Sequence, residues 1–265
     1  MFKQSKHIDN TKELTMQKAI LKSFKKIRFG NKLIYVRRSM ASELIKKGIT
    51  DLERLVRNSK DKKIFEGRGE TVSLPIKDGR MVIRHYHHGG IFRRLTRDIY
   101  WGITPRPLKE LAVSEKARSK GLNTPEVLAV ILRRYAKIFY RADIITREIE
   151  SGINACDYLR SVEATSRDNI IRSAAETVRK MHDLGLYHPD LNLKNILIQD
   201  IDGRIKSFIL DLDRACIKEN LSNRKRERNL FRLNRSVNKL GKDAPLVSKE
   251  DKLVFLRQYY KESGD

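Results

Sequence analysis

The sequence predicts a two-lobed α+β fold, with a small antiparallel sheet in the amino-terminal lobe and a reduced helical carboxy-terminal lobe. Three observations support this prediction. Residues 71–86 follow a period of two around an Asp-Gly turn signal, which is typical of a β-hairpin. Two more strand-like runs, at 127–132 and 137–149, follow a helical stretch. From residue 166 onward the apolar spacing is mainly helical.

The predicted lobes cover residues 32–150 and 151–265, and residues 1–31 form an amino-terminal extension. In the extension, apolar residues recur at helical spacing with lysines between them: Met16, Ile20, Phe24 and Ile27. This pattern predicts a short basic amphipathic helix. Such a helix can pack on the protein or lie on an anionic membrane surface, and packing is the favoured interpretation.

The other elements follow from short patterns and turn residues. In the amino-terminal lobe we expect a strand at 32–38, short helices at 43–47 and 51–56, a helical stretch near 92–100 and a helix at 110–120 ending at Gly121. In the carboxy-terminal lobe we expect a helix from 166 to Gly185, strands at 195–198 and 207–210 around Asp202-Gly203, and helices at about 223–240 and 248–261.

The chain is strongly basic. Its 57 lysines and arginines outnumber 33 acidic residues, so the formal net charge is +24. Such a charge favours an anionic partner, for example nucleic acid, acidic lipid or a phosphorylated glycan. Two distant cysteines indicate neither a disulfide framework nor a zinc site. No apolar run reaches the length of a membrane span, so we expect a cytosolic or peripheral protein.

One string carries the chemistry. In His188-Pro189-Asp190-Leu191-Asn192-Leu193-Lys194-Asn195 the Asp and Asn have the D-x-x-x-x-N spacing of a kinase catalytic loop, and a hairpin leads from it to Asp211. In that arrangement Asp190 accepts the proton of the acceptor hydroxyl or orients that hydroxyl, while Asn195 and Asp211 hold the magnesium ion that bridges the phosphates. His182 and His188 are expected to brace the loop by hydrogen bonding.

The nucleotide-binding half is expected upstream. Met81-Val82-Ile83-Arg84 takes the place of the V-A-I-K strand of kinases, with arginine in the lysine position. Arginine can pair with phosphate oxygens and with a helix glutamate; Glu110 is the expected partner and Glu115 the alternative. Gly67 and Gly69 lie just before the hairpin and are candidates for a turn that covers the phosphates.

Several strings together resemble the lipopolysaccharide inner-core kinases, a family that includes kinases of 3-deoxy-D-manno-octulosonic acid (Kdo) and of heptose. The similarity is greatest to the Kdo kinases and runs from about residue 32 to 240. The strings that carry it are Gly67-Arg68-Gly69, Arg84-His85-Tyr86-His87-His88-Gly89-Gly90, Tyr140-Arg141-Ala142-Asp143 with Thr146, the His-Pro-Asp-Leu-Asn loop and Asp211-Leu212-Asp213-Arg214-Ala215.

The resemblance implies a protein-kinase-like fold, ATP and Mg²⁺, and transfer of the γ-phosphate to a hydroxyl of Kdo. The acceptor would be a Kdo-bearing lipid A precursor, and the enzyme would work at the cytoplasmic face of the inner membrane. By matching positions, Asp190 is the base, Asn195 and Asp211 are the metal ligands and Arg84 contacts phosphate. Residues 1–31 lie outside the resemblance.

Two features of the carboxy-terminal part of the sequence favour a compact phosphate acceptor over a peptide. After Asp211 the chain continues only to residue 265 and lacks an A-P-E string, so the peptide platform of protein kinases is expected to be largely missing. Residues 223–242 combine an apolar stripe with eight basic residues, and a helix of this type can present arginines to phosphates or to anionic lipid. A merely solvated charged face has the same pattern.

Alternatives remain at this stage. A heptose kinase of the same family and a minimal protein Ser/Thr kinase use the same core residues. A basic scaffold that binds nucleic acid is the non-enzymatic alternative, but no nucleic acid is expected because all three core residues are present. The string from His85 to His88 is interpreted as a strand end that contacts phosphate or sugar rather than a metal site, and Asp213 either assists the metal or pairs with Arg214.

Overall fold

The computed structural model describes residues 20, 22–65, 71–86, 100–101, 105–135, 139–162, 167–241 and 245–261. The chain divides into two compact units, one of residues 1–115 with 126–148 and the other of residues 116–125 with 149–265. Within the described ranges, no helix is long and apolar enough to cross a membrane.

The first unit is built on one antiparallel sheet. Its strands are β1 (Phe24–Phe29), β2 (Lys32–Arg37), β3 (Lys63–Phe65), β4 (Thr71–Ile76), β5 (Gly79–His85), β6 (Tyr100–Trp101), β7 (Val127–Arg134) and β8 (Phe139–Arg147). They are ordered β1-β2-β7-β8-β5-β4-β3, and β6 pairs with β8. The β4–β5 hairpin turns at Gly79, whose φ of 98° suits glycine, so the predicted Asp-Gly turn is confirmed.

Helices cover both faces of this sheet, which explains its two apolar clusters. Helices α1 (Ala41–Lys47) and α2 (Leu52–Asn58) pack on one face, with Met81 and Ile83 of β5 in their cluster. Helix α3 (Arg106–Ser119) contributes Leu108 and Leu111 to the other cluster. Because side chains alternate along a strand, the central strands β2, β7 and β8 supply buried residues to both clusters.

The prediction of an amphipathic helix in the extension is wrong from Phe24 onward. Residues 24–29 form β1, which pairs with β2 over six residues. A spacing of three residues places Phe24 and Ile27 on opposite faces of a strand, and both faces of this sheet are covered by apolar clusters. The helical spacing therefore fitted a strand equally well. Most of the remaining extension lies outside the described residues.

The second unit is mainly helical. Its strands are β9 (Ile153–Asn154), β10 (Leu186–Tyr187), β11 (Ile196–Ile201), β12 (Arg204–Ile209) and β13 (Cys216–Ile217), and its helices are α4 (Ala155–Ser161), α5 (Asp168–Asp183), α6 (Asn223–Leu240) and α7 (Lys249–Tyr260). Strand β11 pairs with β12 and β9, and β10 pairs with β13. The predicted hairpin around Asp202-Gly203 and the two final helices are confirmed.

The boundary between the units differs from the predicted lobe boundary. Residues 116–125 join the second unit, where the N–H of Ile209 donates to the carbonyl of Asn123 at 2.9 Å. Helix α3 begins at Arg106, four residues before its predicted start at 110, because proline is tolerated in a first helical turn. The helical stretch predicted near 92–100 lies outside the described residues except at Tyr100, which begins β6.

Candidate active site

The loop that carries Asp190 joins β10 to β11. Leu191 and Leu193 on this loop are buried, whereas the Asp190 side chain between β10 and these leucines is exposed. Apolar burial on either side of a polar residue holds the backbone in place while leaving the carboxylate accessible. Asp190 is therefore presented to solvent on an anchored loop.

His188 connects this loop to the segment that carries Asp211. Its Nε2 donates to the carbonyl oxygen of Leu210 at 2.9 Å, and its Nδ1 accepts from the N–H of Asp190 at 3.1 Å. Burial lowers the pKa of His188, so the ring is neutral and its tautomer carries the proton on Nε2. These two hydrogen bonds hold the loop in place, which is the role expected of His188.

Asn195 forms the second connection. Its Nδ2 donates to the carbonyl of Asp190 at 2.9 Å, and its own carbonyl accepts from the N–H of Leu210 at 2.9 Å. The three candidate core residues therefore lie on segments that hydrogen-bond directly to one another. Asp211 has a φ of 55°, a left-handed conformation that costs a non-glycine residue roughly 1 kcal/mol. Backbone strain of this kind is concentrated at functional sites.

Asn192 stabilises the loop from within. Its Nδ2 donates to the carbonyl of Asp190 at 2.8 Å, and its Oδ1 accepts from the N–H of Lys194 at 3.0 Å. Short polar side chains commonly support loops in this way. Both Asn192 and Asn195 thus fix the carbonyl of Asp190, a role for Asn192 that the sequence spacing did not reveal.

A buried polar network lies beneath the loop. Asn229 of α6 accepts from the backbone N–H of His188 at 3.2 Å and donates to its carbonyl at 2.6 Å. The Oδ1 of Asn229 also accepts from His182 Nε2 at 3.1 Å, and His182 Nδ1 accepts from the Tyr259 hydroxyl at 2.7 Å. Burial lowers the pKa of His182 to about 4. Sequence reasoning missed Asn229 because it is one asparagine in a charged helix.

The donor set around Asp211 fits a magnesium ion that is shared with a nucleotide. Magnesium in kinases takes one or two protein oxygens and completes its shell with phosphate and water. The Nδ2 of Asn195 is bound to Asp190, so its oxygen is the atom able to meet a cation, and the Asp211 carboxylate is exposed. Among the residues that the structure describes, no three His, Cys, Asp or Glu side chains form a metal cluster.

In the first unit, Arg84 of β5 pairs with Glu110 of α3. The Nη2 of Arg84 lies 2.6 and 2.7 Å from the two carboxylate oxygens, and the Tyr86 hydroxyl also donates to Glu110. The guanidinium lies over the Tyr86 ring at 5.2 Å. This is the expected pairing, whereas the alternative partner Glu115 is bound by Arg37.

The structure describes only part of the remaining candidate segments, which are the glycine turn and the string from His85 to Gly90. Gly67, Gly69 and the string from His87 to Gly90 lie outside the described residues. The Nδ1 of His85 lies 2.5 Å from the carboxylate of Asp143, its partner across β5 and β8. The nucleotide, metal and catalytic roles of the candidate residues stay predictions.

Comparison with known proteins places the chain among lipopolysaccharide kinases. The lipopolysaccharide kinase (Kdo/WaaP) family matches residues 59–259. A 3-deoxy-D-manno-octulosonic acid kinase of Vibrio cholerae is 30% identical over 176 residues, which cover 65% of this chain and 72% of the relative. The protein of the same name in Photobacterium profundum is 35% identical over 182 residues, which cover 67% and 73%.

A solved structure described as WaaP in complex with acyl carrier protein has a TM-score of 0.53 to this chain. It is 18% identical, with 80% of this chain and 83% of that chain covered, so the likeness shows the fold. The two-lobed, kinase-like α+β fold expected from the sequence is confirmed. Because the family match extends over the Asp190 loop, the Asp211 segment and the Arg84 strand, the chain belongs to the lipopolysaccharide kinase (Kdo/WaaP) family.

Proposed function

We propose that this protein transfers the γ-phosphate of ATP to a hydroxyl of Kdo on a lipid A precursor, in lipopolysaccharide core biosynthesis. The observation that carries the proposal is the hydrogen-bonded junction between the Asp190 loop and the Asp211 segment, made by His188 and Asn195. The relatives named as Kdo kinases, at 30% and 35% identity, support Kdo as the acceptor.

Asp190 is the proposed base. Its carboxylate is exposed, while its backbone N–H and carbonyl are both held by side chains of the loop. A base on a rigid backbone can orient the acceptor hydroxyl and accept its proton as the phosphoryl group moves. The neighbouring imidazole of His188 is buried and already engaged on both nitrogens, so it positions the loop and takes no proton.

Asn195 and Asp211 would hold Mg²⁺, and Arg84 would contact the phosphates of ATP. The metal would neutralise the negative charge on the phosphate oxygens. Glu110 binds the Nη2 of Arg84 with both carboxylate oxygens, which fixes the orientation of the guanidinium. Gly67 and Gly69 are the proposed phosphate-covering turn.

We propose that the protein acts at the cytoplasmic face of the inner membrane, where it is bound peripherally. Helix α6 supports contact with an anionic surface, because Leu233 is buried while Arg224, Arg228 and Arg235 are exposed. Each basic residue near an acidic membrane contributes on the order of 1 kcal/mol of attraction.

The proposal can be tested with labelled ATP, Mg²⁺ and a Kdo-bearing lipid A precursor, with lipid A lacking Kdo and a heptose-bearing precursor as parallel acceptors. We expect labelled lipid only where Kdo is present, and we expect chelation of Mg²⁺ to abolish labelling. Phosphorylation confined to the heptose-bearing lipid would assign the protein to the heptose kinases. Absence of labelling on every lipid would overturn the proposal.

Substitution of the acids tests their roles. Asp190→Asn should lower kcat by ~10² to 10⁴, the usual contribution of positioned proton transfer. Asp211→Asn should weaken Mg²⁺-dependent nucleotide binding. The matched control is Asp202→Asn, because Asp202 is exposed at a turn and shares the positive φ of Asp211. Unchanged turnover in Asp190→Asn would remove that residue from the mechanism.

A further inference from the structure

The turn between β1 and β2 lies beside the end of β7 at one end of the sheet in the first unit. Strands β1 and β2 turn between Phe29 and Lys32, and the N–H of Tyr135, just after β7, donates to the carbonyl of Phe139 in β8 at 3.1 Å. Lys32 pairs with Arg133 across β2 and β7, and the N–H of Arg134 donates to the carbonyl of Asn31 at 3.1 Å. The turn and the end of β7 are therefore joined by the backbone, and we refer to residues 26–33, 134–135 and 139 as the hairpin edge.

Three aromatic side chains of the hairpin edge face solvent. Phe29 is 59% exposed, Tyr135 54% and Phe139 44%, and all three are at or next to the ends of strands. The Tyr135 ring is held by the guanidinium of Arg141 at 5.5 Å. Exposed large apolar side chains that gather at one place mark an interaction site, and aromatic residues are enriched where proteins meet a membrane surface.

Basic side chains surround a depression next to the turn between β1 and β2. The depression has a volume of about 660 Å³, and its lining residues are Lys26, Arg28, Gly30, Asn31, Lys32, Leu33 and Arg134. Four of the seven are cationic and none is acidic. Lys26 and Arg28 are exposed and two residues apart on β1, so they lie on one face of the strand, while Phe29 lies on the other face at the strand end. The hairpin edge therefore combines apolar tips with a concave positive surface.

We propose that the hairpin edge docks the protein on an anionic phospholipid bilayer. The aromatic tips enter the interfacial region, and the depression receives the phosphates of lipid headgroups. This inference rests on the proposed function, because an enzyme with a lipid-linked acceptor must work at a bilayer surface. It names a contact surface distinct from the candidate residues and from helix α6.

A bilayer fits these observations better than a single-stranded nucleic acid. Nucleic-acid readers stack successive bases on aromatic rings along a positively charged groove. Here the aromatics lie at the ends of strands, and the cationic depression contains no aromatic residue among its lining residues. Apolar tips beside cations are the pattern of proteins that enter a membrane interface.

The test uses the full chain without ATP. Co-sedimentation is measured with vesicles of pure phosphatidylcholine and with vesicles of phosphatidylcholine and phosphatidylglycerol in equal amounts. We expect binding to the anionic vesicles that weakens as salt is added. Lys26→Gln/Arg28→Gln should weaken it about 25-fold, since each cation contributes roughly fivefold near an acidic surface. Phe29→Ser should weaken it on the order of tenfold by removing an apolar anchor.

The matched control is Lys46→Gln/Arg54→Gln, which removes one exposed lysine and one exposed arginine from α1 and α2. This variant should bind vesicles within about twofold of the parent, because its cations lie outside the hairpin edge. All variants should keep the parental melting temperature, since the changed side chains are exposed. An equal loss in the control would indicate that net charge alone drives binding and would overturn the proposal.

A second measurement separates this inference from the proposed function. Phosphorylation of a deacylated, water-soluble Kdo acceptor should be unchanged in the hairpin-edge variants. If these variants bind vesicles as the parent does and still phosphorylate the soluble acceptor, the docking surface is refuted and the proposed function is not affected. Binding to a single-stranded RNA provides the third comparison. If the parent binds the RNA more tightly than anionic vesicles, and the hairpin-edge variants lose that RNA binding, the surface belongs to nucleic acid instead.

Discussion

Asn229 of α6 holds both backbone polar groups of His188, accepting from its N–H at 3.2 Å and donating to its carbonyl at 2.6 Å. Both residues are fully buried. One amide side chain thus ties the loop of the candidate base to a helix that follows it by about 40 residues. Because His188 in turn binds Leu210, Asn229 supports the loop and the Asp211 segment together.

Replacement of Asn229 should harm both stability and turnover. In Asn229→Ala the N–H and the carbonyl of His188 lose their partner, and each unsatisfied buried group costs about 1–3 kcal/mol. We expect the free energy of unfolding to fall by at least about 2 kcal/mol, and kcat to fall while the KM for ATP changes little. Urea denaturation and steady-state kinetics measure these effects.

The control for this prediction is Asn234→Ala, which removes an exposed asparagine from the same helix. It should leave stability and kcat near the parental values. If Asn229→Ala loses stability but keeps full kcat at a temperature where it is folded, its role is purely structural.

The Arg84–Glu110 pair should act as a unit in ATP binding. Arg84→Gln and Glu110→Gln should each raise the KM for ATP about tenfold, the scale of a lost hydrogen bond to a charged group. The double variant should be little worse than either single variant, because the guanidinium is no longer oriented once its partner is gone. Steady-state kinetics with ATP as the varied substrate supply the measurement.

Arg84→Lys provides a finer comparison. It keeps the charge and loses the planar fork, so it should recover only part of the ATP affinity. Arg172→Gln is the control, since Arg172 and Asp168 form an exposed ion pair on α5. Fully additive effects of the two single changes at Arg84 and Glu110 would contradict the coupled role.

Protonation of His182 should couple stability to pH. Burial lowers its pKa from 6.5 to about 4 in the folded state, so between these values the unfolded chain binds the extra proton. The stability is therefore complete above pH 6.5 and is lost as the pH falls toward 4. His182 should contribute about 2 kcal/mol of this loss between about pH 7 and pH 5.

Denaturation at the two pH values, compared with His182→Gln, isolates this contribution. His188 also has a lowered pKa and changes stability in the same direction, so the parent retains some pH dependence that the variant shares. An identical pH dependence in the parent and in His182→Gln would show that His182 is not the titrating group.

Two glycines with similar backbone angles should tolerate alanine differently. Gly185 and Gly203 have φ of 77° and 78°. A Cβ at Gly185 would lie 1.9 Å from the carbonyl oxygen of Lys218, whereas a Cβ at Gly203 meets nothing within 4 Å. Gly203→Ala should cost about 1 kcal/mol of left-handed strain. Gly185→Ala should cost clearly more, because β10 and β13 must separate to make room. Equal losses in chemical denaturation would contradict this account.

The sequence alone was sufficient for features that depend on neighbours along the chain. The Asp-Gly hairpin and the long helix that ends just before Gly185 are short-range patterns, and local backbone preferences determine them. The pairing of Arg84 with Glu110 was also within reach, because a strand and the helix that follows it commonly pack together.

The tertiary structure decided what depends on distant partners. Phe24 and Ile27 have helical spacing, yet β1 is a strand because β2 supplies hydrogen bonds and two apolar clusters receive its two faces. Asn229 resembles any helix asparagine until folding brings it to His188. The sequence by itself determined the local elements and predicted the chemistry of the candidate residues, whereas only the fold decided what holds them, because buried hydrogen bonds are made between segments far apart in the chain.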